Sequence, residues 1–219
     1  MGRGKSKASG GSASGGGSGG IGKPNEATEY YVSGEGMWIN QYLRGRGDFG
    51  ELSSDEKQFI KDLDIATSGK ITDDTLYRSV DAKAIFGNIS DTDYSNLSTT
   101  LNYGADSFGK GDYADGIRNK VNNIISKTEG KSITEKGYMS TTTSVRVAEE
   151  WGDFTGSDMP VVVKLKTSKN TKGVNLSSYD KNVSKAEAQH ERLLARNQGY
   201  KVKKVYAKNG LIYVDATMN

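Results

Sequence analysis

The order of the hydrophobic patterns along the chain constrains its fold more than any other feature. Up to about residue 127 the apolar residues recur mostly at helical spacing, with one strand-like run at 75–80. Beyond that point, short runs rich in β-branched and aromatic residues predict strands at 137–141, 160–167, 173–176, 190–195, 200–207 and 211–216. Helices followed by strands predict an α+β domain.

The helical spacing divides into separate segments. It predicts helices over 26–43 (one or two, broken near Gly34 and Gly36), from Ser53 or Ser54 to about Ala66, over about 112–127 and over about 144–151. Residues 88–110 are rich in Asp, Ser, Thr, Asn and Gly, and they are predicted mostly as loop.

The N-terminal segment differs in composition from the rest. Residues 1–22 are Gly/Ser-rich with a few cations, which predicts a disordered basic tail. Residues 23–219 are predicted as a single domain, with a helical lobe at about 26–70 and a β-sandwich at about 72–216. We see no signal peptide and no apolar run of about 20 residues, so we expect a cytoplasmic protein, in the bacterial or host cell cytosol, without a membrane partner.

The residue types present exclude several kinds of site. The chain has no Cys and one His, His190, so a thiol nucleophile, a Cys-ligated metal and a His-ligated metal cluster are ruled out. A Ser-His-Asp triad built away from His190 is ruled out as well. The Gly-rich run in the tail follows no strand, so it is not a dinucleotide-binding fingerprint.

Charge is distributed unevenly along the chain. Residues 24–160 contain 14 Lys and Arg against 23 Asp and Glu, a net charge of −9, whereas residues 161–219 contain 12 against 4, a net charge of +8. A basic region can attract phosphates, nucleic acid or an acidic protein. The alternative is that these lysines line the solvated faces of strands.

Three segments carry the side chains that could do chemistry. The first, LYRS at 76–79, places an Arg after an aromatic residue on a strand. The second, KGYMSTTTS at 136–144, is a hydroxyl cluster that runs into a helix ending near Trp151. The third, EAQHERLL at 187–194, is a Gln-x-Glu that enters a strand. Each segment alone is common, but the ordered set of three is specific.

In this order the segments resemble the Arg-Ser-Glu class of mono-ADP-ribosyltransferases, a bacterial-toxin-like and phage-encoded exoenzyme family, in its Gln-x-Glu variant. The likeness covers most of residues 26–215, with Thr142 where the family often has Ser. It implies a split β-sandwich of two antiparallel sheets that meet at a cleft for NAD, with a helical N-terminal lobe. It implies an enzyme that uses NAD as co-substrate, needs no metal and modifies a macromolecular acceptor, a protein or a nucleic acid.

The resemblance also implies a role for each candidate residue. Catalytic roles fall to Glu191, Gln189 and Ser140. Contacts with NAD fall to Arg78, Ser79, Ser140, Thr141, Trp151 and Phe154. Contacts with the acceptor fall to Tyr179 and Gln189.

These residue types suit the reaction. Cleavage of the nicotinamide–ribose bond passes through an oxocarbenium-like state, as in glycoside chemistry, and the Glu191 carboxylate would stabilise its positive charge. Ser140 would hydrogen-bond to Glu191 and orient it. Arg78 would grip a diphosphate or ribose group through its planar fork, which Lys cannot copy. The ring of Trp151, or else Phe154, would stack on nicotinamide.

The acceptor is less constrained than the donor. Gln189 lies two residues before Glu191, so on a strand the two side chains face the same way and His190 points to the other side. In the family a Glu at this position accompanies arginine acceptors, whereas Gln accompanies others, such as asparagine side chains or guanine bases. We therefore predict a protein Asn or Gln side chain, or a nucleic-acid base.

Two other functions fit the sequence. A plain NAD glycohydrolase would use water as acceptor, and a non-catalytic module would use the basic region to bind nucleic acid or protein. The setting stays open between a phage enzyme, a secreted effector and the toxin of a toxin–antitoxin pair, so an antitoxin or immunity protein is one candidate partner.

Overall fold

A computed structural model describes residues 22–34, 36–154, 157–182 and 188–219, except for the side chains of 152–154 and 182. The predicted tail at 1–22 therefore lies outside the described residues, apart from Gly22. Gly22 forms a parallel bridge with Val174. A Cβ on Gly22 would lie 2.4 Å from the carbonyl oxygen of Ala66 and 2.6 Å from that of Gly173. Gly22 is thus packed closely against the backbone of the fold.

Seven α-helices lie in the described part of the chain. They are α1 (Glu26–Val32), α2 (Met37–Leu43), α3 (Ser54–Ala66), α4 (Ala82–Phe86), α5 (Asp91–Tyr103), α6 (Asp112–Thr128) and α7 (Val145–Phe154), with short 3-10 helices at Ala105–Phe108 and Ser177–Asn182. Asn25 and Ser53 form capping boxes at the start of α1 and α3, which satisfies backbone N–H groups that the helices cannot pair internally.

Strands occupy most of the second half of the chain. They are β1 (Thr75–Asp81), β2 (Ser132–Glu135), β3 (Met139–Thr142), β4 (Pro160–Lys166), β5 (Gly173–Asn175), β6 (Glu191–Leu194), β7 (Gln198–Lys208) and β8 (Leu211–Met218). Each of the six strands predicted after residue 127 is present, and β2 is an additional one.

The strands form one 8-stranded sheet in the order β2-β7-β8-β4-β1-β3-β6-β5. Its two halves meet between β1 and β3, where Tyr77 opposite Thr142 is the one register pair. The resemblance implies two separate sheets. The structure has instead one continuous sheet, whose two halves are joined by a narrow junction. The pairing is antiparallel throughout except between β4 and β8, which run parallel.

Helices cover both faces of the sheet. The largest hydrophobic core lies between the sheet and α4, α5 and α6, and it includes Leu76, Leu97 and Val163. A second core joins the N-terminal helices to the β3-β6-β5 half, with Ile39 and Leu193 fully buried. On the other half of the same face, α7 packs on the sheet through Ala148. No helix in the described part of the chain has the length and hydrophobicity needed to span a membrane.

The prediction of a loop at 88–110 is wrong, because α5 and a 3-10 helix lie there. Ser90 caps α5 and Gly104 ends it. Leu97 is the one fully buried residue of α5, and Tyr94 and Leu101 pack beside it at helical spacing, but these few apolar residues stand in a sequence made mostly of Asp, Ser, Thr and Asn. Its capping signals were present in the sequence.

Candidate active site

A cavity of about 530 Å³ opens at the junction between the two halves of the sheet. The predicted site residues that line it are Arg78, Ser79, Ser140, Trp151, Gln189 and Glu191. The N-terminal helices close the other side with Tyr31, Asn40 and Arg44. The three sequence motifs, which are far apart along the chain, are thus brought to one place.

The Glu191 carboxyl lies at the centre of this arrangement. Glu191 begins β6 and pairs with Thr142, while Ser140 pairs with Leu193, so Ser140 and Glu191 share a face of the sheet. Burial raises the pKa of Glu191 above its ordinary value, the Ser140 hydroxyl bonded to the carboxyl opposes this shift, and the charge of Asp180 adds to it. A carboxylate in such a place is poorly solvated and is free to stabilise a nearby positive charge.

The backbone just before Glu191 is fixed from two sides. The Thr142 hydroxyl donates to the carbonyl of Gln189 at 2.6 Å. The Asp180 carboxylate accepts the backbone N–H groups of Gln189 and His190 at 3.0 and 2.9 Å. His190 has a φ of 49°, a conformation that costs free energy for a non-glycine residue. These bonds hold the turn that delivers Glu191 to the cavity.

Gln189 lines the cavity, but it does not lie on a strand as the sequence predicts. It precedes β6 and lies in the turn, so strand alternation does not set its direction. Its side chain is exposed and lines the rim of the cavity that contains Glu191. His190 is exposed and does not line the cavity.

Arg78 has an incompletely satisfied guanidinium. Its side chain is 11% exposed, and its Nη1 lies 3.9 Å from an oxygen of Glu135. Its Nε is buried without a hydrogen-bond partner among the described residues. Because buried donors are nearly always paired, this Nε–H is suited to an acceptor that the protein itself does not supply.

Glu135 anchors the cations around it. It accepts from Arg44 Nε at 2.9 Å and from the backbone N–H of Gly137 at 3.0 Å. Burial acts to raise the pKa of Glu135, but the hydrogen bond from Arg44 and the charge of Arg78 outweigh it and hold the pKa below its ordinary value. Glu135 therefore stays ionised and positions both arginines.

A second cavity of about 820 Å³ continues from the first along β1 and shares Arg44, Arg46 and Arg78 with it. Lys83 and Lys136 add two more cations to its lining. The two cavities together form a groove with the Glu191 carboxylate at one end. Along the other end, five cations outnumber the carboxylates of Asp81 and Glu135.

The third wall of the first cavity comes from the N-terminal helices. Asn40 on α2 donates to the Tyr31 hydroxyl at 2.6 Å and to the backbone carbonyl of Tyr138 at 3.1 Å. The Tyr31 hydroxyl lies 3.4 Å from the Ser140 hydroxyl. Burial raises the pKa of Tyr31, so it stays protonated. The sequence motifs did not indicate these residues, because helical spacing alone does not show which strand a helix packs against.

Two predicted residues, Thr141 and Tyr179, do not line the cavity. Thr141 is fully buried, and its hydroxyl donates to the carbonyl of Arg192 at 2.6 Å. The Tyr179 hydroxyl lies 2.8 Å from the Thr28 hydroxyl, against the N-terminal helices. The side chain of Phe154 lies outside the described residues. Among the residues that the structure describes, no cluster of three or more His, Cys, Asp or Glu could hold a metal ion.

Comparisons with known proteins agree with this fold. C3stau2 from S. aureus, solved with NAD, is 23% identical over 88% of this chain and 84% of that one, with a TM-score of 0.62. An ADP-ribosyltransferase from Clostridium botulinum is 24% identical over 88% and 84%, with a TM-score of 0.57. C3larvin, an ADP-ribosyltransferase toxin from Paenibacillus larvae, is 25% identical over 89% and 93%, with a TM-score of 0.53.

A search of curated protein sequences found no match to this chain. The model of the ADP-ribosyltransferase exoenzyme family, by contrast, matches residues 23–218. That span contains the three motifs and every residue that lines the two cavities. The chain therefore belongs to the ADP-ribosyltransferase exoenzyme family and is an NAD-dependent ADP-ribosyltransferase.

Proposed function

We propose that this enzyme is an Arg-Ser-Glu mono-ADP-ribosyltransferase of the Gln-x-Glu variant, which moves one ADP-ribose from NAD to a macromolecular acceptor other than arginine. The observation that carries the proposal is the half-buried Glu191 carboxyl beside Ser140, in one cavity with Arg78, whose Nε has no hydrogen-bond partner in the described part of the chain. We further propose that residues 23–219 act as a single catalytic domain.

The residues of the groove fit NAD as co-substrate. NAD carries a diphosphate, and the guanidinium of Arg78 offers a buried donor that no described residue pairs with, in a cavity that Arg44 and Lys136 also line. Glu191 would hydrogen-bond to the ribose that bears nicotinamide and stabilise its positive charge as the glycosidic bond breaks. Nicotinamide leaves as a neutral molecule, so the site needs no strong general acid. Trp151 offers an aromatic surface at the same cavity.

The kind of acceptor is inferred from the side chain of Gln189 at the rim of the cavity. Gln189 is exposed there and two residues from Glu191. Its amide both donates and accepts, which matches a side-chain amide or a base edge and does not match a guanidinium, which only donates. We therefore propose a protein Asn or Gln, or a nucleic-acid base, as the acceptor.

The proposed function is tested by incubating the protein with NAD labelled in the adenylate group and a cell lysate. Label that becomes bound to macromolecules supports transfer, and its sensitivity to protease or nuclease identifies the class of acceptor. Release of nicotinamide without any bound label would instead identify an NAD glycohydrolase. Absence of both products would contradict the proposal.

Gln189→Glu tests the choice of acceptor. We expect it to lower transfer to the native acceptor by about tenfold more than it lowers NAD hydrolysis, because a carboxylate cannot donate and adds a charge. The measurement is the pair of rates for labelled transfer and nicotinamide release, with Gln58→Glu on the exposed surface of α3 as the control. Equal losses in both rates would show that Gln189 supports NAD or Glu191 and does not select the acceptor.

Asp180→Ala tests the turn before Glu191. The change removes the acceptor of two consecutive N–H groups, so the turn loses the bonds that offset its strained backbone at His190. We expect kcat for NAD hydrolysis to fall by roughly ten- to a hundredfold, with a smaller effect on KM. Asp106→Ala, in an exposed 3-10 helix, is the matched control. A kcat equal to that of the control variant would show that Asp180 has no positioning role.

A further inference from the structure

One face of the β7-β8-β4 part of the sheet carries two rows of lysines. Antiparallel pairing places Lys201 opposite Thr217 and Lys204 opposite Asp215. Parallel pairing places Lys166 beside Thr217 and Lys164 beside Asp215. Since paired residues share a face of a sheet, these four lysines, together with Lys208 on β7, point to one side. We call this surface the lysine face.

The dimensions of the lysine face follow from strand geometry. The row on β7 and the row on β4 lie two strand spacings apart, on the order of 10 Å, with β8 between them. Neighbouring lysines within the β4 row are about 7 Å apart along the strand. Between the two rows, Asp215 and Thr217 of β8 are partly exposed.

The lysines of this face have no ionic partner among the described residues. Lys166, Lys201, Lys204 and Lys208 are exposed and Lys164 is half-buried, and the salt bridges of the described residues include none of them. Asp215 is the one acidic residue in the three strands, and its carboxylate accepts from the Tyr206 hydroxyl. The positive charge is therefore not neutralised within the face.

Aromatic rings lie between the lysines. Tyr206 stacks on Tyr213 with ring centroids 5.5 Å apart. Lys204 lies 5.7 Å from the centre of the Tyr206 ring and Lys208 5.9 Å from that of Tyr213. Tyr213 is buried, whereas Tyr206 is half-buried and keeps part of its surface exposed. The face thus combines cations that can contact a phosphate backbone with a ring on which a base can stack.

The lysine face adjoins the active site. The face of the sheet that bears the lysines continues through Tyr213 on β8 and Val162 on β4 to β1. There α7 covers Tyr213 and Val162. The other end of α7 reaches the first cavity through Trp151. A chain lying along the lysine face would therefore pass beside α7 toward the cavity.

We propose that the lysine face binds single-stranded nucleic acid. Its lysines can neutralise successive phosphates of a strand, and the Tyr206 ring among them offers a surface for a base, which an acidic protein would leave unused. In a duplex the bases are stacked on each other, so no base would be free to stack on the Tyr206 ring. This binding does not require the bound strand to be the acceptor of ADP-ribose.

The test measures binding of a fluorescently labelled oligodeoxythymidine of about 20 nucleotides, longer than a typical single-strand site, by anisotropy over a range of salt concentrations. We expect the triple variant Lys166→Gln, Lys201→Gln, Lys204→Gln to bind at least about tenfold more weakly. Its log–log salt slope should be shallower by about 2, since three phosphate contacts are removed. Tyr206→Leu should weaken binding by about fivefold or more through loss of stacking.

The control is a triple variant that loses the same charge at three exposed lysines outside the lysine face: Lys61→Gln, Lys110→Gln and Lys127→Gln. We expect it to bind the oligonucleotide within about twofold of the wild type. Nicotinamide release should be equal in both triple variants, which separates this binding from the proposed catalysis. Equal losses of binding in the two triple variants would overturn the proposal. Tighter binding of the matching duplex, or of polyglutamate, would overturn it as well.

Discussion

Glu191→Gln is expected to lower kcat for both NAD hydrolysis and transfer by at least about 10²- to 10³-fold, the range seen when one electrostatic group of a transition state is removed. Glutamine keeps the shape of the side chain but has no charge to stabilise the ribose cation. The first measurement is the rate of nicotinamide release at saturating NAD. Glu51→Gln, which changes an exposed carboxylate, is the control and should keep wild-type rates.

The same variant is expected to be more stable than the wild type at neutral pH. Burial raises the pKa of Glu191 in the folded state, so the folded protein holds this proton to higher pH than the unfolded chain does. The resulting stabilisation is complete below the unfolded pKa and is lost as the pH rises through the folded one. At neutral pH the ionised carboxylate therefore lowers stability, and a neutral amide should raise the Tm. A variant that is inactive because it is unfolded would show the opposite change.

The raised pKa also predicts the pH dependence of the wild type. Activity that needs the Glu191 carboxylate should fall on acidification, with a midpoint above the ordinary value of 4.5. The charge of Asp180 contributes to the shift, so Asp180→Asn should move this midpoint to lower pH. A midpoint unchanged by Asp180→Asn would show that the two carboxylates do not interact.

Arg78→Lys is expected to raise the Kd for NAD by about ten- to a hundredfold, although the charge is kept. A hydrogen bond to a charged group contributes roughly 1.5–3 kcal/mol, and lysine cannot reproduce the planar fork or the buried Nε–H. The Kd is measured by calorimetry on the Glu191→Gln background, where NAD is not consumed.

Arg146→Lys is the matched control for this substitution, because Arg146 pairs with Glu150 on the exposed side of α7. Its Kd should stay within about twofold of the reference. Lysine at 78 also keeps a cation near Glu135, so the loss should appear in NAD binding and leave the Tm nearly unchanged. An unchanged Kd would remove Arg78 from the binding of NAD.

The sequence could indicate residues of the site that lie within short motifs. Ser140 and Glu191 stand at fixed places in strand-like segments. The same alternation indicates that Ser140 and Thr141 face opposite sides, which is why Thr141 is buried while Ser140 lines the cavity. Tyr31 could not be found this way, because its position depends on how α1 packs against β3, a contact between segments more than a hundred residues apart.

For the fold as well, the sequence could indicate local elements but not the contacts between distant segments. Alternating patterns located the strands after residue 127, but they could not show that β4 and β8 run parallel, since order and direction depend on long-range pairing. The α5 helix was missed because its composition is typical of a loop, although Tyr94, Leu97 and Leu101 recur at helical spacing and Ser90 and Gly104 mark its ends.

The narrow junction between β1 and β3 has a consequence for motion. With Tyr77 and Thr142 as the one register pair, the stiffness of the junction depends on side chains such as Leu76 and Met139 in the core beneath it. NAD that contacts Arg78 in one half of the sheet and Glu191 in the other would restrict the motion of the two halves relative to each other. Amide hydrogens of β1 and β3 should then exchange with solvent more slowly when NAD binds, while those of the continuous β7–β8 ladder should change little.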